Sequence, residues 1–493
     1  MKFILILVLL VVVCPVAGQT PKTAADYLER GISRMADDAE AAIADFTETV
    51  RLDPRNASAY FHRGLIRARK GEIEEAISDF SKTIQVDASH ALAYSNRGVM
   101  RAAKGDSDGA LADDNKAIEL DPRAADAYYN RGTHRGKRGD LEGAIVDFNK
   151  AIELDPFHAS AHANRGLARR KKGDVDGAIV DYSKAIEINP GLALTYYNRG
   201  MEREDKRDLD GAIADYNEAI AIDPTLSSAY NNRGLVRRSK GDLEGALLDY
   251  NKAIELDPRE PKAYSNRGLA RSDKADFEGA IADFTKAVEL DPKLAPAFSN
   301  RGLAQANRGD VDRAIADHTR AIEIDPQLAE AYYNRGLAQH QKTNFDGAIA
   351  DYSKAIGIAP NLAPAYYHRG VARQKNGNLV AALADYNKAN EIDPQPFTHN
   401  NLAWLLATSL DDGVRDGRKA VEHARIAAEL TKWQDANVLD TLSAAYAEAG
   451  NFKEAISWVT KALAFPEFAG TLGEGSRQRL KLYLKRNPYR EKF

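Results

Sequence analysis

The segment Ala125–His158 reads ADAYYNRGTHRGKRGDLEGAIVDFNKAIELDPFH, and its pattern recurs with little change along most of the chain. Two apolar-periodic stretches flank Gly139-Asp140, and Asp155-Pro156 closes the second. Glycine can take the left-handed conformation that ends a helix. The aspartate after it can accept a backbone N–H and start the next helix. Proline drives the residue before it out of the α region and stops that helix. The segment therefore reads as helix, tight turn, helix, tight turn.

The dipeptide Arg-Gly marks the period: it recurs every 34 residues from Arg63-Gly64 to Arg369-Gly370. A fixed period of this length describes a stack of helical pairs, not a globular domain built around one cleft. Gly132 and Ala144 are small residues expected to let the two helices of a pair meet closely. Tyr128, Phe148, Ala151 and Ile152 are expected to fill the groove towards the next pair. One pair alone would expose much of this apolar face, so stability should come from stacking.

An aromatic residue at position 4, Gly at 8, Ala at 20, an aromatic at 24, Ala at 27 and Pro at 32 appear together as Tyr332, Gly336, Ala348, Tyr352, Ala355 and Pro360. On these residues the chain resembles the tetratricopeptide repeat family. The resemblance implies an all-α, right-handed superhelical solenoid of tandem helix-turn-helix repeats. It places eleven repeats over 24–396 and two degenerate ones over 397–470, followed by a basic tail or capping helix over 471–493. Leu480, Leu482 and Leu484 suggest a short helix covering the last repeat.

Three departures from the family pattern carry information. Position 7 is arginine throughout, position 11 is arginine in most repeats (Arg67, Arg101, Arg203), and position 23 is aspartate (Asp79, Asp113, Asp215). In an antiparallel pair, positions 7 and 23 should face each other. An Arg–Asp ladder is therefore expected, with the second arginine one turn away and sharing the carboxylate. Arg207, Ala275 and Thr343 stand where other repeats have the turn glycine. An adjusted turn is expected there, since a retained left-handed one costs about 1 kcal/mol.

Composition narrows the function. Net charge is −4 over 493 residues, with both signs mixed along the chain, so no basic stripe for nucleic acid is present. Met1-Lys2 precedes an apolar run, Phe3 to Val13, which suits a signal-peptide core and is too short for a comfortable span. Residues 1–18 are read as a signal peptide, cleaved after Val16-Ala17-Gly18. The chain is then an exported bacterial member of the family, secreted or periplasmic, with no integral membrane span in the mature part. Lipid anchoring at Cys14 is the alternative. Cys14 is the sole cysteine, so the mature chain has no disulfide, thiolate metal site or cysteine nucleophile.

In the family, position 6 of each first helix projects into the concave groove. Here it is asparagine in eight consecutive repeats: Asn96, Asn130, Asn164, Asn198, Asn232, Asn266, Asn300 and Asn334. A row of amides offers donors and acceptors to the main chain of an extended peptide. An internal hydrogen-bond ladder is the competing reading. Position 5 varies, and Tyr129, Tyr197, Tyr333 and Tyr367 are the candidates for side-chain selection. Positions 12 and 13 vary too, from Arg170-Lys171 to Glu204-Asp205.

No His-Glu-x-x-His, phosphate-binding loop or nucleophile elbow is present. His158 and His162 straddle the Pro156 turn and are read as surface histidines, not a zinc site. No catalytic residue, metal or cofactor is assigned. The expectation is a non-enzymatic scaffold for protein or peptide segments, its oligomeric state open. An envelope-assembly or saccharide-binding factor and the regulatory arm of a transferase complex are the alternatives.

Overall fold

The computed structural model describes residues 21–471 and 473–491. The expected signal peptide and Cys14 lie outside these residues. The described residues form 28 α-helices, and the one strand-like feature among them is an isolated bridge between Ser409 and Glu491. The chain divides into two compact units, Met1–Lys240 and Gly241–Phe493. In the first, six helix pairs run from Ala24–Arg34 with Ala39–Leu52 to Ala193–Asp205 with Leu209–Ile222, followed by the helix Ser227–Ser239. The second begins with the helix Leu243–Leu256 and continues through four pairs from Pro261 to Ile392. Two further pairs follow, Pro396–Thr408 with Gly417–Leu430 and Ala436–Glu448 with Phe452–Leu463.

The turn residues act as their chemistry requires. Gly139 is left-handed at φ 87°. The Asp140 side chain accepts from the Gly143 N–H at 2.9 Å and so caps the second helix, Leu141–Leu154. Asp155 leaves the helix in extended conformation and its carboxylate accepts from the Phe157 N–H at 3.0 Å. The same devices recur elsewhere, as at Gly173 with Asp174 and Gly309 with Asp310.

Close approach within a pair is decided one turn beyond the expected alanine. A Cβ on Gly132 would lie 2.8 Å from Cε1 of Phe148, the ring at position 24 of the same repeat. At Gly200 the corresponding contact with Tyr216 would be 2.7 Å. The missing side chain therefore makes room for a buried ring that also reaches the next repeat: Phe148 packs with Ala144 and with Ala168.

The Arg–Asp ladder is present. Arg199 Nε and Nη2 donate to the two oxygens of Asp215 at 2.9 and 2.7 Å, and Arg203 Nη1 adds a third bond at 2.9 Å. The same arrangement joins Arg63, Asp79 and Arg67, and Arg30, Asp45 and Arg34. The aspartates are buried. The position 7 arginine makes two further contacts that spacing alone did not reveal. Its Nη1 reaches back to the preceding repeat, as from Arg199 to Ser183 Oγ at 3.0 Å and from Arg165 to Asn149 Oδ1 at 2.7 Å. Its guanidinium also lies over the position 4 ring, 5.6 Å from the centroid of Tyr196. The ladder thus ties both helices of one repeat to the second helix of the one before.

The expectation of an adjusted turn fails: Arg207, Ala275 and Thr343 keep positive φ of 64°, 60° and 60°. The reason is the hydrogen-bond pattern of the turn. The Asp208 N–H still reaches Arg203 O at 2.8 Å, as Asp140 N–H reaches Arg135 O at 3.0 Å, and only a left-handed residue between helix and cap permits it. Thr343→Gly should therefore stabilise the second unit by about 1 kcal/mol, read as a higher urea midpoint with an unchanged slope.

Candidate functional site

The asparagine row sits on the first helices, and much of it is engaged. Asn96 is buried and its Nδ2 donates to Leu92 O of its own helix at 2.9 Å. Asn130 Nδ2 donates to Ser95 Oγ of the preceding repeat at 3.0 Å. Asn164 Nδ2 donates to Tyr129 Oη and Thr133 Oγ1, both at 3.3 Å, and Asn232 Nδ2 to Tyr197 Oη at 3.2 Å. Asn198, Asn266, Asn300 and Asn334 are half-buried. Amide donors from position 6 thus bond hydroxyls at position 5 of the repeat before. Asn401, outside the predicted row, does the same to Tyr367 Oη at 3.0 Å.

The tyrosines are correspondingly tied into packing. Tyr129 lies 4.8 Å from the His158 ring and 6.1 Å from Phe148. Tyr197 is 6.0 Å from Tyr216. Tyr333 faces Tyr352 and His368 at 6.0 and 5.9 Å. Tyr367 meets Phe397 at 4.7 Å and His368 at 5.0 Å. Burial raises the phenol pKa of Tyr129, Tyr333 and Tyr367. Glu204, among the variable residues, is also occupied: it accepts from Tyr216 Oη at 2.8 Å.

Open volume appears beside one of these tyrosines. A cleft of about 520 Å³ is lined by Tyr367, His368, Asp393, Gln395 and Phe397, among others. Phe397 is exposed. Its origin is legible in register. His90 and His158 fill the space beside Phe61 and Tyr129, with ring centroids 4.6 and 4.8 Å apart. The equivalent residue after Tyr367 is Pro396, which already begins the next helix, and the exposed Phe397 beside it meets the Tyr367 ring edge-on instead.

Several polar residues lie where rings or small apolar groups stand in other repeats. Asp114 and His318 occupy position 24 and are fully buried. Asp114 Oδ2 is 2.6 Å from Nδ1 of His134 in the next repeat, and burial raises the carboxyl pKa. His318 Nδ1 lies 3.3 Å from Ser299 Oγ. Glu202, also buried, pairs with Arg170 across a repeat boundary. The signal for Asp114 and His318 was their departure from the aromatic column.

His158 and His162 are not at the surface: His162 is buried and His158 nearly so. His158 caps the helix Ala159–Lys171 by accepting from the Ala161 N–H at 3.2 Å, while its Nε2 lies 3.2 Å from Asp126 Oδ1. The turn before that helix folds both rings inward onto the stack. Among the described residues no group of three or more His, Cys, Asp or Glu side chains is placed to hold a metal ion, and no helix is long and apolar enough to cross a membrane.

Family models described as tetratricopeptide or TPR repeats match residues 36–85, 125–158, 166–201, 205–237, 234–274, 261–294, 306–343, 329–362 and 363–396. Together they cover more than half of the chain. No curated protein matches significantly. Among solved structures, MamA is 31% identical over 34% of this chain and 91% of its own, with a TM-score of 0.31. YrrB, a TPR protein with an unusual peptide-binding site, is 26% identical over 37% and 94%, at 0.32. The APC/C hetero-tetramer Cut9–Hcn1 matches at 16% identity over 93% and 96%, at 0.43.

Proposed function

Because this chain belongs to the tetratricopeptide repeat family, we propose that it is a non-enzymatic scaffold that binds extended segments of partner proteins on the position 5 and 6 face of its first helices. The observation that carries this reading is the cleft beside Tyr367, His368 and Phe397. It opens in the second unit, beside the position 5 phenol of Tyr367, and is large enough for a side chain. The amides already bonded to neighbouring hydroxyls, such as Asn130 and Asn164, act as a fixed frame. The half-buried Asn300 and Asn334 supply further polar contacts to a bound main chain. The apolar run of residues 3–13 supports export, and the proposed setting is outside the cytoplasm.

Affinity on such a face accumulates over repeats. Replacing Asn300 alone by Ala should change partner affinity little, whereas replacing Asn266, Asn300 and Asn334 together should weaken it by on the order of tenfold or more. Crosslinking in the native compartment, from a photoreactive residue at Phe397, identifies the partner against which this is measured. A triple variant that keeps full affinity would rule out the asparagine face.

A further inference from the structure

The basic C-terminal segment divides into two parts with different attachments. The helix Gly473–Leu484 is anchored in the core of the last pair by Tyr483, which is fully buried among Ala447, Ala455 and Val459. Leu480 and Leu482 pack there too, whereas Leu484 is exposed. Arg486, left-handed at φ 58°, then turns the chain back. The residues beyond it run across the first helices of the last two pairs.

There the segment is held as a bound peptide would be. The Glu491 N–H donates to Thr408 O at 2.8 Å, a carbonyl at the end of its helix, where no intrahelical donor remains. Glu491 Oε2 accepts from Trp404 Nε1 at 2.5 Å. The Tyr489 ring lies 6.0 Å from Trp404, and Arg490 Nη1 lies 2.6 Å from Glu448 Oε2. Arg479, bonded to Asp440, lies over both rings at 5.1 and 5.4 Å from their centroids. Trp404 is three residues from Asn401 and therefore on the same side of its helix, and Asn401 bonds Tyr367 at the cleft. One main-chain bond to a helix end and three side-chain contacts thus read an aromatic–basic–acidic triplet.

We propose that the face formed by Trp404, Glu448 and the Thr408 carbonyl is a binding site for partner segments carrying an aromatic–basic–acidic triplet. The chain's own Tyr489-Arg490-Glu491 is its resident occupant and competes with the partner. The occupant sits at the surface: the Arg490 side chain keeps 29% of its exposure, while Tyr483 keeps none. Tyr489 packs at the edge of the cluster that buries Tyr483, but Tyr483, Leu480 and Leu482 hold the anchoring helix there without it. Because the tail is tethered, its high effective concentration makes it a strong competitor despite few contacts. The proposal rests on the reading that first-helix faces bind extended segments, but it concerns only the last two pairs.

The test uses a fluorescein-labelled synthetic peptide of residues 485–491 and anisotropy titrations. A chain ending at Pro488 should bind it on the order of tenfold more tightly than the intact chain. The full-length variant Arg490→Ala, which loosens the tail without truncation, should shift affinity the same way if the shorter chain folds poorly. Glu448→Lys in the shortened chain should remove binding, and a peptide carrying Arg490→Glu should restore it. Equal affinity for the intact and both altered chains, or no binding to any, overturns the proposal. A dimer of the intact chain that disappears on shortening would assign the face to a second copy and also overturn it. Either failure leaves the asparagine test independent, since that test alters Asn266, Asn300 and Asn334.

Discussion

Asp215→Asn should destabilise the first unit by about 3 kcal/mol, near the cost of breaking a buried ion pair by removing one partner. Asp215 accepts three bonds, two from Arg199 and one from Arg203, and is 2% exposed. Asparagine has the same shape but one acceptor oxygen and no charge, so two guanidinium groups keep their desolvation cost and lose their counter-charge. Arg199 also bonds Ser183 of the preceding repeat, so the damage should spread across the repeat boundary. Amide hydrogen exchange is the informative measurement, because a repeat array need not unfold in one step. Protection should fall in the helices Val175–Ile188 and Leu209–Ile222 before it falls at Ala24–Arg34. Unchanged exchange and thermal stability would mean that the ladder is an ornament of the surface.

The second large effect is acid sensitivity at His318. The ring is 1% exposed, stands where every other repeat over 24–396 but the one with Asp114 has Phe or Tyr, and burial, with a smaller contribution from Arg335, lowers its pKa to about 4. The unfolded chain takes up a proton near the ordinary value of 6.5, the folded one only near 4. Below about pH 6.5 the unfolded state therefore binds more protons, and stability falls until the folded ring titrates. At 1.4 kcal/mol per unit of pKa, the full loss is on the order of 3 kcal/mol. His318→Phe restores the ring column and removes this proton uptake. Urea midpoints near pH 7.5 and pH 4.5 should show the gap between variant and parent widening by about 2–3 kcal/mol on acidification. His368 and His399, lowered to about 4 by the same cause, remain in both proteins and cancel in the comparison. A gap that stays constant would contradict the burial argument.

The column of residues at each repeat position explains what reading the chain could deliver. Gly139 and Asp140 act alone on local backbone, so the turn and the cap follow from residue type. The Arg199–Asp215 pair follows from antiparallel geometry and a 16-residue spacing. The contact from Arg199 to Ser183 does not, because it depends on the offset between stacked repeats. The candidate face divides in the same way. That Asn164 lies at position 6 is a matter of counting; that its amide bonds Tyr129 of the previous repeat depends on how the two helices are rotated together. The cleft beside Tyr367 required knowing that Pro396 starts a helix and that Phe397 after it lines the opening.

By itself the sequence determined the period, the all-α helix-pair architecture, the turn chemistry and the internal ladder, since each is set by residues within one repeat. Tertiary structure decided the rest. It kept Arg207, Ala275 and Thr343 left-handed, because turn hydrogen bonds outweigh a cost of about 1 kcal/mol. It turned His158 and His162 inward and committed amides of the asparagine row to neighbouring hydroxyls. It also laid Tyr489-Arg490-Glu491 against Trp404 and Glu448. The turns rest on hydrogen bonds within a few residues, whereas the other outcomes depend on distances between residues far apart in the chain, which spacing along one repeat does not encode.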